Sequence, residues 1–215
     1  QVGENYEEAA VIEGSGNAID SIYYENLDDS PSKELIVDWE TAGQRHSLAA
    51  YSIDRYEVLE LMRTDHAGFQ IYDVDGDGQK EILVLQMAAG EVGQAESFVN
   101  SAPGSRVEVY NFRDGILELD ASAPLSNGVE KLVSMKTGYL QNMAPALFVT
   151  STYAENGQIT DIFAWKNGGL ENVTLEPDTG ESDSTIRWST EVESTKVSYT
   201  DINHDGILEL PSAYA

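Results

Sequence analysis

Carboxylates on alternate residues constrain this chain more than any other feature. The stretch 68–84 carries Asp73, Asp75, Asp77 and Glu81 at positions 1, 3, 5 and 9 of a loop. Phe69 and Ile71 alternate into it, and Ile82, Leu83, Val84 and Leu85 lead out. Like charges this close repel one another unless a cation stands between them. Ca2+ suits such a set, because it takes about six to eight oxygens from carboxylates, backbone carbonyls and water. Gln79 at position 7 would offer its carbonyl, and Gly76 and Gly78 admit the positive φ angles of a tight wrap.

The pattern returns near the end of the sequence. Asp201, Asn203, Asp205 and Glu209 hold positions 1, 3, 5 and 9, with Gly206 at position 6 and the carbonyl of Ile207 at position 7. Asp73, Asp75, Asp77, Gln79, Glu81, Asp201, Asn203, Asp205, Ile207 and Glu209 are thus the candidate ligands of two Ca2+ sites. Both are expected to be structural. Neither is an EF-hand, which needs a bidentate Glu at position 12 between helices. That position is Val84 in one loop and Ser212 in the other, and the flanking residues alternate as strands do.

Aligning Glu34 with Glu81 exposes a worn copy with Asn26, Asp28, Ser30 and Glu34 on the same positions and Pro31 where a Gly stands elsewhere. Metal binding there is left open. A further loop position, 138–144, has lost its carboxylates although Ala146, Leu147, Phe148 and Val149 repeat the outgoing strand. The outgoing strands start near Glu34, Glu81, Ala146 and Glu209, roughly 50 to 65 residues apart, a spacing expected of propeller blades.

The fold class expected is all-β: a β-propeller-like array of three to four antiparallel blades linked by calcium-binding loops, open or partial. Each loop is expected to hand the chain from one sheet to the next. Residues 1–17 read as a loose acidic leader or linker and 18–215 as a single repeat domain. Strands are expected at 46–53 and 56–62, the latter with a helical turn as the weaker alternative. A hairpin is expected around Asn111, Asp114 and Gly115. Loops are expected over 90–104 and 121–130, and further strands near 131–135, 159–165, 170–175, 186–188 and 197–199.

Asp73-Val-Asp75-Gly-Asp77-Gly-Gln-Lys-Glu81-Ile and Asp201-Ile-Asn203-His-Asp205-Gly-Ile-Leu-Glu209-Leu resemble the FG-GAP/VCBS-type repeat. The resemblance implies an integrin-α-like β-propeller, calcium in the loop, and a place among bacterial surface proteins. It rests on the two full loops and, more weakly, on Asn26, Asp28, Ser30 and Glu34. The chain holds fewer blades than the family's propellers usually carry.

Composition narrows the function. Of 215 residues 12 are basic and 38 acidic, a formal charge of −26, which excludes the basic footprint of a nucleic-acid binder. Anionic membranes would repel such a chain, and no apolar run is long enough for a spanning helix, so direct membrane insertion is not expected. The absence of cysteine excludes disulfides, thiolate metal sites and cysteine nucleophiles. Weak calcium modules work where calcium is near millimolar, outside cells. The chain therefore reads as a bacterial secreted or surface-anchored protein, with its signal segment removed ahead of residue 1.

The function expected is that of a calcium-stabilised extracellular interaction or scaffold domain, an adhesion module binding protein or glycan at the cell surface. The alternative is a carbohydrate-active enzyme or the accessory domain of a hydrolase. Catalysis is not expected. His46, His66 and His204 stand in no catalytic motif; His66 reads as a turn residue and His204 as solvent-facing. Lys136-Thr137-Gly138 matches one serine-hydrolase box, but its Ser-x-x-Lys partner is missing. Trp39, Trp165, Trp188, Tyr23, Tyr51, Tyr110 and Tyr199 read as core and cross-strand partners, with an exposed glycan platform as the alternative.

Overall fold

A computed structural model describes residues 11–28, 30–43, 45–54, 57–87, 104–140, 143–153 and 157–174. The 201–209 loop, the strands expected near 186–188 and 197–199, Trp188, Tyr199 and nearly all of the 90–104 loop lie outside the described residues. So do the first ten residues of the leader.

Every element among the described residues is a β-strand. The described residues form three antiparallel four-stranded sheets. The first contains β1 (Ala18–Glu25), β2 (Glu34–Thr41), β3 (Arg45–Asp54) and β4 (Glu57–His66) in chain order. The second contains β5 (Gly68–Tyr72), β6 (Glu81–Gln86), β7 (Arg106–Arg113) and β8 (Ile116–Pro124), and the third contains β9 (Val129–Tyr139), β10 (Pro145–Tyr153), β11 (Gly157–Lys166) and β12 (Gly169–Asn172). Each sheet is a meander in which neighbours in sequence are neighbours in space. The chain forms two compact units: one runs to His66 and includes Asn111–Glu118, and the other contains Ala67–Tyr110 and Leu119 onward.

Burial follows position in the sheet. The inner strands β6 and β11 are buried through consecutive residues, as in Ile82, Leu83, Val84 and Leu85, so neither face is open to water. The edge strand β1 is mostly exposed, with Ile22 and Tyr24 facing solvent. Within the second unit, one core joins the second and third sheets: Val74, Leu83, Val107 and Val109 pack with Leu147, Val149 and Phe163. In the first unit, Val37, Trp39, Ala49 and Tyr51 pack with Ile12.

Four sequence expectations change. The calcium-loop position does not pass the chain between sheets. Tyr72 pairs with Glu81 and Glu25 with Glu34, so both the full and the worn loop close the first hairpin of their own sheet. The reason is register: positions 0 and 9 face each other across one antiparallel ladder, which leaves no room for a crossover. The 121–130 stretch is not all loop, since β8 runs to Pro124 and β9 starts at Val129. The 138–144 position is not all loop, since β9 runs through Gly138 to Tyr139. Pro145 pairs with Tyr139, and Leu140 N–H donates to the Ala144 carbonyl at 2.9 Å. With no carboxylates to hold apart, the ladder closes further toward the tip. Finally, His66 ends strand β4 opposite His46 and is not a turn residue, because the β3–β4 ladder extends to that pair.

The leader is held where it is described. A Cβ on Gly14 would lie 2.1 Å from Cζ3 of Trp39, and Asn17 N–H donates to the Glu40 carbonyl at 2.8 Å. Gly14 is therefore required by close approach of the leader backbone to the Trp39 ring. The expected hairpin turn is present at Asp114 and Gly115, with φ of 49° and 89°. Tyr51 and Trp39 are core residues, as expected, whereas Tyr23 is 40% exposed.

Candidate metal centre

The 73–80 wrap is organised by its own acidic side chains. The Asp73 carboxylate accepts from Gly76 N–H at 2.7 Å and Gly78 N–H at 3.0 Å. Asp75 accepts from Asp77 N–H at 3.0 Å, and Asp77 accepts from Gln79 N–H at 2.7 Å. The Asp75 and Asp77 bonds are Asx-type turns, and in all four a side chain satisfies a backbone donor nearby. Gly76 and Gly78, with φ of 80° and 97°, let the chain curl around the carboxylates.

Beneath the wrap sits Glu81. Its Oε2 accepts from Val74 N–H at 2.9 Å, and its side chain is almost wholly buried. Its other oxygen, Oε1, is buried without a hydrogen-bond partner. Burial, followed by repulsion from Asp75, Asp77 and Asp73, pushes the Glu81 carboxyl up to about 7. Burial also raises Asp75, with Asp77, Asp73 and Asp120 adding repulsion. Oxygens of Asp73, Asp75 and Glu81 come within 4.8 Å of one another. Asp77 lies outside that group.

The residues fit a hard cation. Three carboxylates converge, one buried oxygen lacks a donor, and a dication there would satisfy that oxygen and remove the repulsion at once. Asp73, Asp75 and Glu81 are the residues placed to hold it. Asp77, like Asp73 and Asp75, also accepts a backbone N–H of the wrap. The second expected site, with Asp201, Asn203, Asp205, Ile207 and Glu209, lies outside the described residues.

The worn loop folds in the same way. Leu27 N–H donates to Glu34 Oε2 at 2.8 Å, as Val74 does to Glu81. Asp28 N–H donates to Asn26 at 3.2 Å, Ser30 N–H to Asp28 at 2.8 Å and Ser32 N–H to Ser30 at 3.2 Å. Leu27 and Val74, at position 2 of each loop, are both fully buried. The architecture survives without the full charge set. Fewer carboxylates mean less repulsion, and no convergent acidic group forms at this loop among the described residues.

One buried carboxylate gave no sequence signal. Asp161 on β11 is fully buried and accepts from Ser126 N–H and Oγ, Asn172 Nδ2 and Thr174 Oγ1. It ties the connection between β8 and β9 to the end of β12. Its partners lie 11 to 35 residues away in sequence, so no local spacing announces them.

No family model matches the chain, and no curated protein matches it. Among solved structures the chain is similar to a Bacillus licheniformis rhamnogalacturonan lyase, at 17% identity and a TM-score of 0.49, over 71% of this chain and 33% of that one. It is similar also to the rhamnogalacturonan lyase YesW, at 18% identity and a TM-score of 0.49, with the same two coverages. The chain spans about a third of the length of these structures.

Proposed function

We propose that the chain is a calcium-stabilised, non-enzymatic interaction or scaffold domain of a bacterial secreted or surface-anchored protein, built from FG-GAP/VCBS-type repeats. The observation that carries this reading is the 73–81 hairpin loop, where three carboxylates meet around an oxygen of Glu81 that has no donor. The worn loop supports a repeat, because the same side chain-to-backbone bonds recur one sheet earlier. Three successive four-stranded meanders suit propeller blades. In this reading Ca2+ braces the first hairpin of a blade from within. When bound, the ion supplies only charge compensation and fixed geometry; Glu81 and Val74 hold the base of the loop, and Asp73 and the two glycines hold its tip.

Calorimetric titration of the metal-free protein with Ca2+ tests the site. Two equivalents are expected, falling to one in Asp75→Ala and to one in Asp205→Ala. Absence of saturable calcium binding sinks the proposal. Protein-matrix and glycan arrays, probed with calcium present, then test the interaction role. Depolymerisation of a polysaccharide by the purified chain would instead favour the carbohydrate-active alternative.

A further inference from the structure

We propose a second metal site of different chemistry: Asp38, His46 and His66 bind one first-row divalent cation of the zinc type on the first sheet. His46 and His66 face each other directly across β3 and β4. Glu40 is the β2 partner of His46, so Asp38, two residues along β2, projects from the same face of the sheet. Three adjacent strands therefore deliver two imidazoles and a carboxylate to one point.

The geometry is that of a ligand set. His46 Nδ1 lies 3.2 Å from both Asp38 oxygens, and His66 Nε2 lies 3.0 Å from Asp38 Oδ1. Zinc bonds to imidazole and carboxylate are about 2.0–2.1 Å, which puts neighbouring corners of a tetrahedron about 3.3 Å apart. The three donor atoms already stand near that spacing, all within 4.8 Å of one another. The two rings are tilted at 54° and do not stack, so each turns a nitrogen toward the shared carboxylate. Metal entry replaces these contacts by lone pairs on the same two nitrogens, with the ring protons carried on the opposite nitrogens.

The donor set selects the metal. Imidazole suits zinc and its neighbours and does not suit calcium, which takes oxygens. The Asp38 and His66 side chains are only 5% and 4% exposed, while His46 is 35% exposed. The site is thus anchored deep in the sheet and open at His46, where water can take a fourth corner. It shares no residue with the 73–81 loop and does not depend on calcium.

Titration of the full chain with Zn2+ at pH 7.5, with calcium saturating, tests the site. One equivalent is expected to bind, and Co2+ at the same place should give visible d–d bands that Zn2+ abolishes. His46→Gln, at the open edge, should weaken Zn2+ by roughly tenfold or more. Asp38→Asn, which keeps the shape and removes the charge, should do the same, and His204→Gln should leave binding unchanged. Circular dichroism of each variant confirms that its fold is retained. No stoichiometric Zn2+ binding, or binding that His46→Gln leaves intact, or binding lost only in His204→Gln, overturns the proposal.

Discussion

Glu81 holds together two demands that conflict in the absence of a cation. It must be buried to cap Val74 N–H at the base of the loop, and it must stay beside Asp73, Asp75 and Asp77. In the metal-free fold its carboxyl is raised from 4.5 to about 7. Between those values the folded protein holds a proton that the unfolded chain has released. Metal-free stability therefore falls as pH rises through that window and is greatest at its acid end. With calcium bound the trend reverses, because protons and the cation compete for the same oxygens. Unfolding midpoints measured from pH 5 to 8, with and without calcium, check both signs. Glu81→Gln keeps the acceptor for Val74 and removes the charge. It should raise the metal-free melting temperature at pH 8 by roughly 2–4 °C, about 1 kcal/mol at this chain length, and remove the part of the calcium response that the 73–81 loop supplies. The acidic side chains of the 73–81 loop were legible because charge on alternate residues is written in the sequence. Asp161 and Asp38 were not, because their partners come from other strands.

At the scale of elements, the loops act on hairpins. Strand positions were readable from alternating and continuous apolar runs, since those patterns follow from which faces are covered. Partnership was not readable, because period 2 says that a residue is in a strand and not which strand it pairs with. That is why the loop looked like a joint between sheets and is instead the tip of one hairpin, closed by Tyr72 and Glu81. Two substitutions probe elements directly. Gly14→Ala forces a Cβ into the Trp39 ring, which is part of the first unit's core, and should cost about 1–3 kcal/mol. Asp161→Ala strips the acceptor from Ser126, Asn172 and Thr174 and should cost roughly 3 kcal/mol. Asp161→Asn should cost less, since one acceptor oxygen remains. Urea midpoints at constant slope measure each value.

At the scale of the molecule, an all-β fold was legible in the strand and turn signals, and three four-stranded meanders fulfil it. The charge of −26 adds a general repulsion that a bound dication offsets locally. Under the proposal, free calcium at about 100 times its dissociation constant would add roughly 2.7 kcal/mol per site to stability, provided that the unfolded chain does not bind it. The central claim is that calcium in the 73–81 loop stabilises this fold through Glu81. Scanning calorimetry of the wild type and Glu81→Gln at pH 7.5, each in EGTA and in saturating calcium, tests it most directly. The account predicts a clear rise in the wild-type transition on adding calcium and a smaller rise in Glu81→Gln, limited to what the 201–209 loop supplies. A wild-type transition that calcium leaves unmoved, or an equal rise in both proteins, would contradict it.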